Sequence, residues 1–155
     1  MSGADDAVLG DRAGLSRWGF ADPGSLRDEL TAAALAGAKT TTASLLVEYE
    51  IDGESVPVAD QVDVLIDSEE RDVAIVQTIS VRIARLADVD DRHAIDEGEG
   101  YADAVEFRVA HERYWNGFLD RIRAGPGDPA WELTDDTLIV LERFRIVERL
   151  DGGRS

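Results

Sequence analysis

Gly37-Ala38-Lys39-Thr40-Thr41-Thr42-Ala43-Ser44 contains the only lysine of a 155-residue chain whose other fifteen Lys/Arg residues are arginine. An arginine stays charged at any ordinary pH. A partly buried lysine can be drawn toward neutrality and accept a proton, or can act as a compact point charge. Three hydroxyls follow Lys39 directly, and Thr42 is three positions on. That neighbourhood raises a catalytic reading of the lysine over that of a stray surface residue. Three further side chains fall on apolar stripes. Gln77 is expected to satisfy a backbone group in the core, and His111 to be a hydrogen-bonded core residue. Glu142 is either paired with Arg82 or Arg85 or is an acid facing a site, because a lone buried carboxylate is costly. The acidic run from Asp88 to Glu99 lacks the spacing of a calcium loop, and His93 and His111 lack a zinc pattern, so no metal and no cofactor is expected.

These groups need elements to hold them. Ser25 and Asp28 match an S-x-x-D capping box for a helix burying Leu26, Leu30, Ala33 and Ala34. Gly37 falls where a left-handed residue closes such a helix. From Ala43 to Ile51 apolar residues alternate, which predicts a strand, and Asp52-Gly53 predicts a tight turn. Strict alternation would put Lys39 and Thr41 on one face and Thr42 on the other, so Lys39 and Thr42 act together only if the backbone bends between them. Strands are predicted near Val62–Ile66, over Val73–Ala84 with Val73, Ile75, Ile79, Val81 and Ile83 on one face, and over Thr137–Val147. Leu86 to Gly100 reads as a solvated acidic connection. A second helix starts at Asp103 with Glu106 and buries Phe107, His111, Tyr114, Phe118 and Ile122, and Gly125–Pro129 is a loop. The order predicts a single α+β domain over residues 15–150, a compact, partly closed β-barrel with flanking helices. Residues 1–14 and 151–155 read as tails.

A hydrophobic content of 44% supports a globular core. With no cysteine, disulfides and thiolate metal sites are excluded. The longest apolar runs are too short to cross a bilayer, and the acidic start does not resemble a signal peptide, so a cytoplasmic protein without membrane partners is expected. A net charge of -17 opposes unaided binding to a long polyanion. Abundant acid with one lysine also suits concentrated salt. Oligomeric state leaves no mark in the sequence.

Taken in order, Trp18-Gly19-Phe20, the Gly37–Leu45 element, Glu97-Gly98-Glu99-Gly100, Phe107-Arg108 with His111 and Tyr114-Trp115, and Glu142-Arg143-Phe144 resemble the ASCH (activating signal cointegrator homology) family, whose domains have a PUA-like β-barrel. The resemblance spans about Leu15 to Leu150. It implies one of two activities. Some small members are amidohydrolases that deacetylate N(4)-acetylcytidine with a Lys, a Thr three residues later and a distal Glu; here these positions fall on Lys39, Thr42 and Glu97, the last following His93-Ala94 as in the family's H-A-x-x-E, with Glu99 as the alternative. Other members bind RNA, and some cleave it. The implied partner is thus a small nucleoside-like ligand or RNA, and Thr41, Ser44, Glu99, Tyr101 and Glu142 are the expected substrate contacts. The chain departs from its subgroup at Ala38, where a second Lys is common, at Ala59-Asp60-Gln61 in place of a Gly-Asp pair, and at Tyr101, where an Asp follows the E-G-E-G turn.

Overall fold

The computed structural model describes residues 14–125 and 127–150. Strand β1 (Arg17–Trp18) leads into helix α1 (Ser25–Leu35), strand β2 (Thr41–Leu45) and helix α2 (Leu46–Asp52). Strands β3 (Val62–Ile66) and β4 (Asp72–Arg85) follow. Then come helices α3 (Asp91–Asp96), α4 (Ala104–Asn116) and α5 (Leu119–Ala124), and strand β5 (Leu138–Arg149). The fold is α+β, as expected. One mixed sheet has the order β1-β3-β4-β5-β2, parallel only at β1–β3. Among the described residues no ladder joins β1 to β2, and the expected partial closure into a barrel is not seen in the strand pairing.

Two apolar clusters flank this sheet. One gathers Leu45, Phe107, Trp115, Ile122, Ile139 and Leu141 beneath α4 and α5. The other gathers Phe20, Ala34, Leu65, Val76 and Phe144 beneath α1. Each apolar side chain fully buried this way contributes about 1.5–3 kcal/mol. The clusters hold apart the walls of a cleft of about 1250 Å³.

Several local expectations are corrected. The Ser25–Asp28 capping box does not form: α1 is preceded by Gly24 at φ 146, and Asp28 accepts the Ser68 N–H instead. The helix buries Arg27, Thr31 and Ala34, while Leu26 and Leu30 face the cleft. The predicted strand from Ala43 ends at Leu45. Val47 and Ile51 are also spaced i, i+4, and as helix α2 they pack onto the first cluster. Asp52-Gly53 accordingly ends a helix, with Gly53 left-handed at φ 66. The regular face expected for β4 is broken by register shifts at Ile75/Val76 and Thr78/Ser80, which leave Ile79 and Ile83 exposed. Gln77 therefore escapes the core and accepts a hydrogen bond from Arg145 Nε at 3.1 Å.

The acidic connection is not all loop, because Asp90 caps α3 by accepting the His93 N–H at 2.8 Å. The second predicted helix is two, broken at Gly117, with Ile122 on α5 and Trp115 taking the buried place on α4. Asp103 caps α4 through the Glu106 N–H, as expected. The loop reading holds for Gly125 and Gly127–Pro129, with Pro126 outside the described residues. The reading of 1–13 and 151–155 as tails also lies outside them.

Candidate active-site cleft

Lys39 reaches the cleft because α1 is closed abruptly. Gly37, at φ 85, donates its N–H to Ala34 O at 3.1 Å, and Ala38 donates to Ala33 O at 3.0 Å. This pair of bonds is a Schellman ending, and it reverses the chain. This reversal precedes Lys39 and is not the bend between Lys39 and Thr42 that strict alternation called for. Along β2, Thr42 registers opposite Glu142 and Ser44 opposite Val140. Opposite residues of an antiparallel pair share a face, so Thr42, Ser44 and Glu142 all line the cleft with Lys39. Thr41 has the other parity. It is buried, and its hydroxyl donates to His93 O at 3.0 Å, so this expected substrate contact is a tie between β2 and α3.

Lys39 is 2% exposed. Its Nζ donates to Thr41 O at 2.9 Å, Glu97 O at 3.2 Å, Glu97 Oε1 at 3.2 Å and Glu99 Oε2 at 3.4 Å. Four oxygen acceptors with no donor describe an ammonium. The Phe20 ring lies 5.4 Å from it. Phe20 is held in turn by Arg27, whose guanidinium donates to Phe20 O at 3.0 Å and Ala21 O at 2.7 Å. A Cβ at Gly19 would lie 2.7 Å from that guanidinium carbon, which accounts for the glycine in Trp18-Gly19-Phe20.

Glu97 and Glu99 bracket the ammonium because Gly98 and Gly100 lie between and after them at φ 70 and φ 90. Gly98 also packs against the Lys39 backbone, and a Cβ there would come within 2.7 Å of Lys39 Cα. Glu97 is 1% exposed, and its Oε2 accepts from His93 Nε2 at 2.7 Å. Burial pushes its carboxyl up, but the Lys39 charge, the His93 hydrogen bond and the imidazoles of His111 and His93 outweigh burial and hold it at about 2. Glu99 behaves in the opposite way. Burial raises it, Lys39 lowers it, and the neighbouring Glu97 raises it again, to about 7. Tyr101 donates its hydroxyl to Glu99 Oε1 at 3.3 Å, and burial with the nearby carboxylates raises the phenol.

His111, expected in the core, does donate Nδ1–H to Phe107 O at 3.0 Å and stacks on Phe107, but it also lines the cleft. Its Nε2 is 3.8 Å from Glu97 Oε1, and burial lowers its pKa against the pull of Glu97. Glu97, Glu99 and His111 bring their ligand atoms within 4.8 Å of one another, a grouping that can hold a cation, and the Lys39 ammonium supplies positive charge there. His93 was not singled out in the sequence. Its i, i+4 spacing to Glu97 was the available signal.

The carboxylate opposite Thr42 is held otherwise. Glu142 takes neither arginine partner: Arg82 pairs with Asp90 and Arg85 with Asp88 and Asp136. Its Oε2 accepts from Thr78 Oγ1 at 2.8 Å. Asp63 accepts from Gln61 Nε2 at 2.8 Å and from the Trp18 side chain. Burial raises both carboxyls, and the Asp63 charge raises Glu142 further. The cleft has three basic side chains, Arg17, Lys39 and Arg121, fewer than its acidic ones, and Arg17 and Arg121 are paired with Asp72 and Glu48.

A family model described as ASCH domain matches residues 16–148. No curated protein sequence matches the chain. Among solved structures, protein EF3133 from Enterococcus faecalis V583, described under the family model DUF984, superposes with a TM-score of 0.73 at 26% identity, covering 86% of this chain and 77% of that one. The ASCH domain from Lactobacillus crispatus JV V101 superposes with a TM-score of 0.77 at 22% identity, covering 96% of this chain and 87% of that one. No helix among the described residues is long and apolar enough to cross a membrane.

Proposed function

Because the chain belongs to the ASCH domain family, a family of RNA-binding and related PUA-like modules, we propose that its cleft hydrolyses a small acylated amide of the N(4)-acetylcytidine type. The observation that carries this reading is a buried ammonium lining the same cleft as the Thr42 hydroxyl. Thr42 is the nucleophile that adds to the acyl carbon. Lys39 acts as a fixed positive charge on the oxyanion rather than as a base, since all its protons are directed at oxygen acceptors. Glu97 keeps that charge in place. Ser44, Glu99, Tyr101 and Glu142 line the cleft as contacts for the rest of the substrate.

A small uncharged or cationic ligand fits this lining better than a phosphodiester does. All three Lys and Arg side chains in the cleft are already paired with carboxylates, and phosphate affinity rests on Lys and Arg contacts. The test is to incubate the protein with N(4)-acetylcytidine, follow cytidine release across a range of salt, and measure RNA binding in parallel. Turnover is expected. Absence of turnover wherever the protein is folded, together with salt-sensitive RNA binding that survives Thr42→Ala, would replace this reading with a non-catalytic binding module.

A further inference from the structure

Hydrolysis through Thr42 requires one group to take the hydroxyl proton and deliver it to the departing nitrogen. Lys39 has no free lone pair. Glu97 is sealed, with Oε1 against Lys39 and Oε2 against His93 Nε2. His111 donates from Nδ1 to Phe107 O, and its remaining nitrogen faces Glu97 Oε1. Glu142, opposite Thr42, is 8% exposed, with Oε2 accepting from Thr78 and, among the described residues, no cation beside it to hold a carboxylate. The Glu99 side chain, by contrast, is 21% exposed and lines the cleft, with Oε2 on Lys39 and Oε1 receiving the Tyr101 hydroxyl.

We propose that Glu99 is the proton carrier of this cleft and that Tyr101 is its positioning residue. The inference rests on the amide-hydrolysis reading. In the first half of the reaction the Glu99 carboxylate takes the Thr42 hydroxyl proton as the oxygen–carbon bond forms. It gives that proton to the amide nitrogen as the carbon–nitrogen bond breaks, leaving an acyl ester on Thr42 and a free amine. In the second half it takes a proton from water as water adds to the ester carbon, and returns it to Thr42 Oγ as the carboxylic acid departs. Only water is consumed, and Glu99 ends as it began.

The titratable groups facing Glu99 are Lys39 from the segment between α1 and β2, Glu97 from the end of α3, Tyr101 on its own loop and His111 from α4. Burial and the adjacent Glu97 carboxylate, partly offset by Lys39, put the Glu99 carboxyl at about 7, where a group both accepts and releases protons near neutrality. Activity that needs the carboxylate therefore falls as pH drops through that value.

The experiment combines a carbon-13 titration of the Glu99 carboxyl in the free protein with pH profiles of kcat/KM on N(4)-acetylcytidine. Wild type, Glu99→Gln, Glu99→Asp and Tyr101→Phe are compared, with melting curves as the folding control. The wild-type profile should show an acid limb near pH 7 that matches the carboxyl titration. Glu99→Gln should lose about 100-fold or more in kcat and lose that limb. Glu99→Asp should keep a limb at reduced rate. Tyr101→Phe should move the limb upward by about half a unit, because the carboxylate loses a donor. Wild-type turnover with Glu99→Gln within about threefold of it and the limb unmoved overturns this inference alone. A wild type that turns over no amide overturns the hydrolase reading and this inference with it.

Discussion

Glu97, beside Lys39, and Glu142, on β5, are two buried carboxylates of one cleft that are treated in opposite ways. An ammonium and two imidazoles surround Glu97, and its charge is stabilised far below the ordinary range. Around Glu142 and Asp63, among the described residues, only neutral donors reach the acids: Thr78 for Glu142, and Gln61 and Trp18 for Asp63. Burial there wins, and both carboxyls are raised. Desolvation acts on all of these acids; only at Glu97 do the Lys39 charge, the His93 hydrogen bond and the two imidazoles together outweigh it, whereas Glu99, against the same lysine, is still raised. The surroundings of Glu97 hold charges fixed, as electrostatic catalysis requires. Glu142 and Asp63 offer acceptors that a hydrogen-donating or cationic part of a ligand would satisfy.

Removing the lysine breaks the contrast most severely. Lys39→Met should destabilise the fold by about 3–5 kcal/mol, because Glu97 is then a buried charge without a cation. Denaturant unfolding would measure this, and Glu142→Gln serves as the contrast, expected within about 1 kcal/mol of wild type because it exchanges a poorly solvated acid for an amide.

Acid sharpens the same contrast with a somewhat smaller effect. Glu97 is depressed in the folded state, so its contribution is complete above its ordinary value of 4.5 and is lost as pH falls through about 2. That loss is about 3 kcal/mol. Glu99 is raised, so its contribution is complete below 4.5 and is lost as pH rises through about 7. Stability contributed by this pair should therefore peak near pH 4.5 and decline on both sides. Glu97→Gln should remove the acid decline and Glu99→Gln the neutral one, as read from unfolding midpoints across pH.

Gly98→Ala should cost about 2 kcal/mol. The residue is at φ 70, where an L side chain is strained, and the new methyl would press on the Lys39 backbone. An equal substitution at Gly37, also left-handed but with open space around its Cβ position, should cost about 1 kcal/mol. Thermal melts of the two variants separate backbone strain from contact with the site.

Much of this cleft was legible in local chemistry. A lone lysine after a helix-ending glycine marked the candidate site, and the H-A-x-x-E offset marked Glu97, although its segment was read as a loop and not as helix α3. The apolar parity of β5 placed Glu142 among its core neighbours. What escaped was decided at long range. Ala43–Ile51 fits a strand and a helix equally, and packing against the first cluster selects the helix after Leu45. The bulge at Thr78/Ser80 turns Ile79 outward with no sequence signal. Thr41 and Thr42 are chemically alike, and only pairing with β5 shows which hydroxyl faces the cleft.

The central claim is that Lys39 and Thr42 perform chemistry, while Glu142, paired opposite Thr42, holds the ligand. Steady-state kinetics of Thr42→Ala and Glu142→Gln on N(4)-acetylcytidine, with ligand binding measured by calorimetry, test it most directly. Thr42→Ala should abolish kcat while still binding the ligand, and Glu142→Gln should raise KM with kcat nearly unchanged. Wild-type kcat in Thr42→Ala, or a loss of kcat without a change in KM in Glu142→Gln, would contradict it.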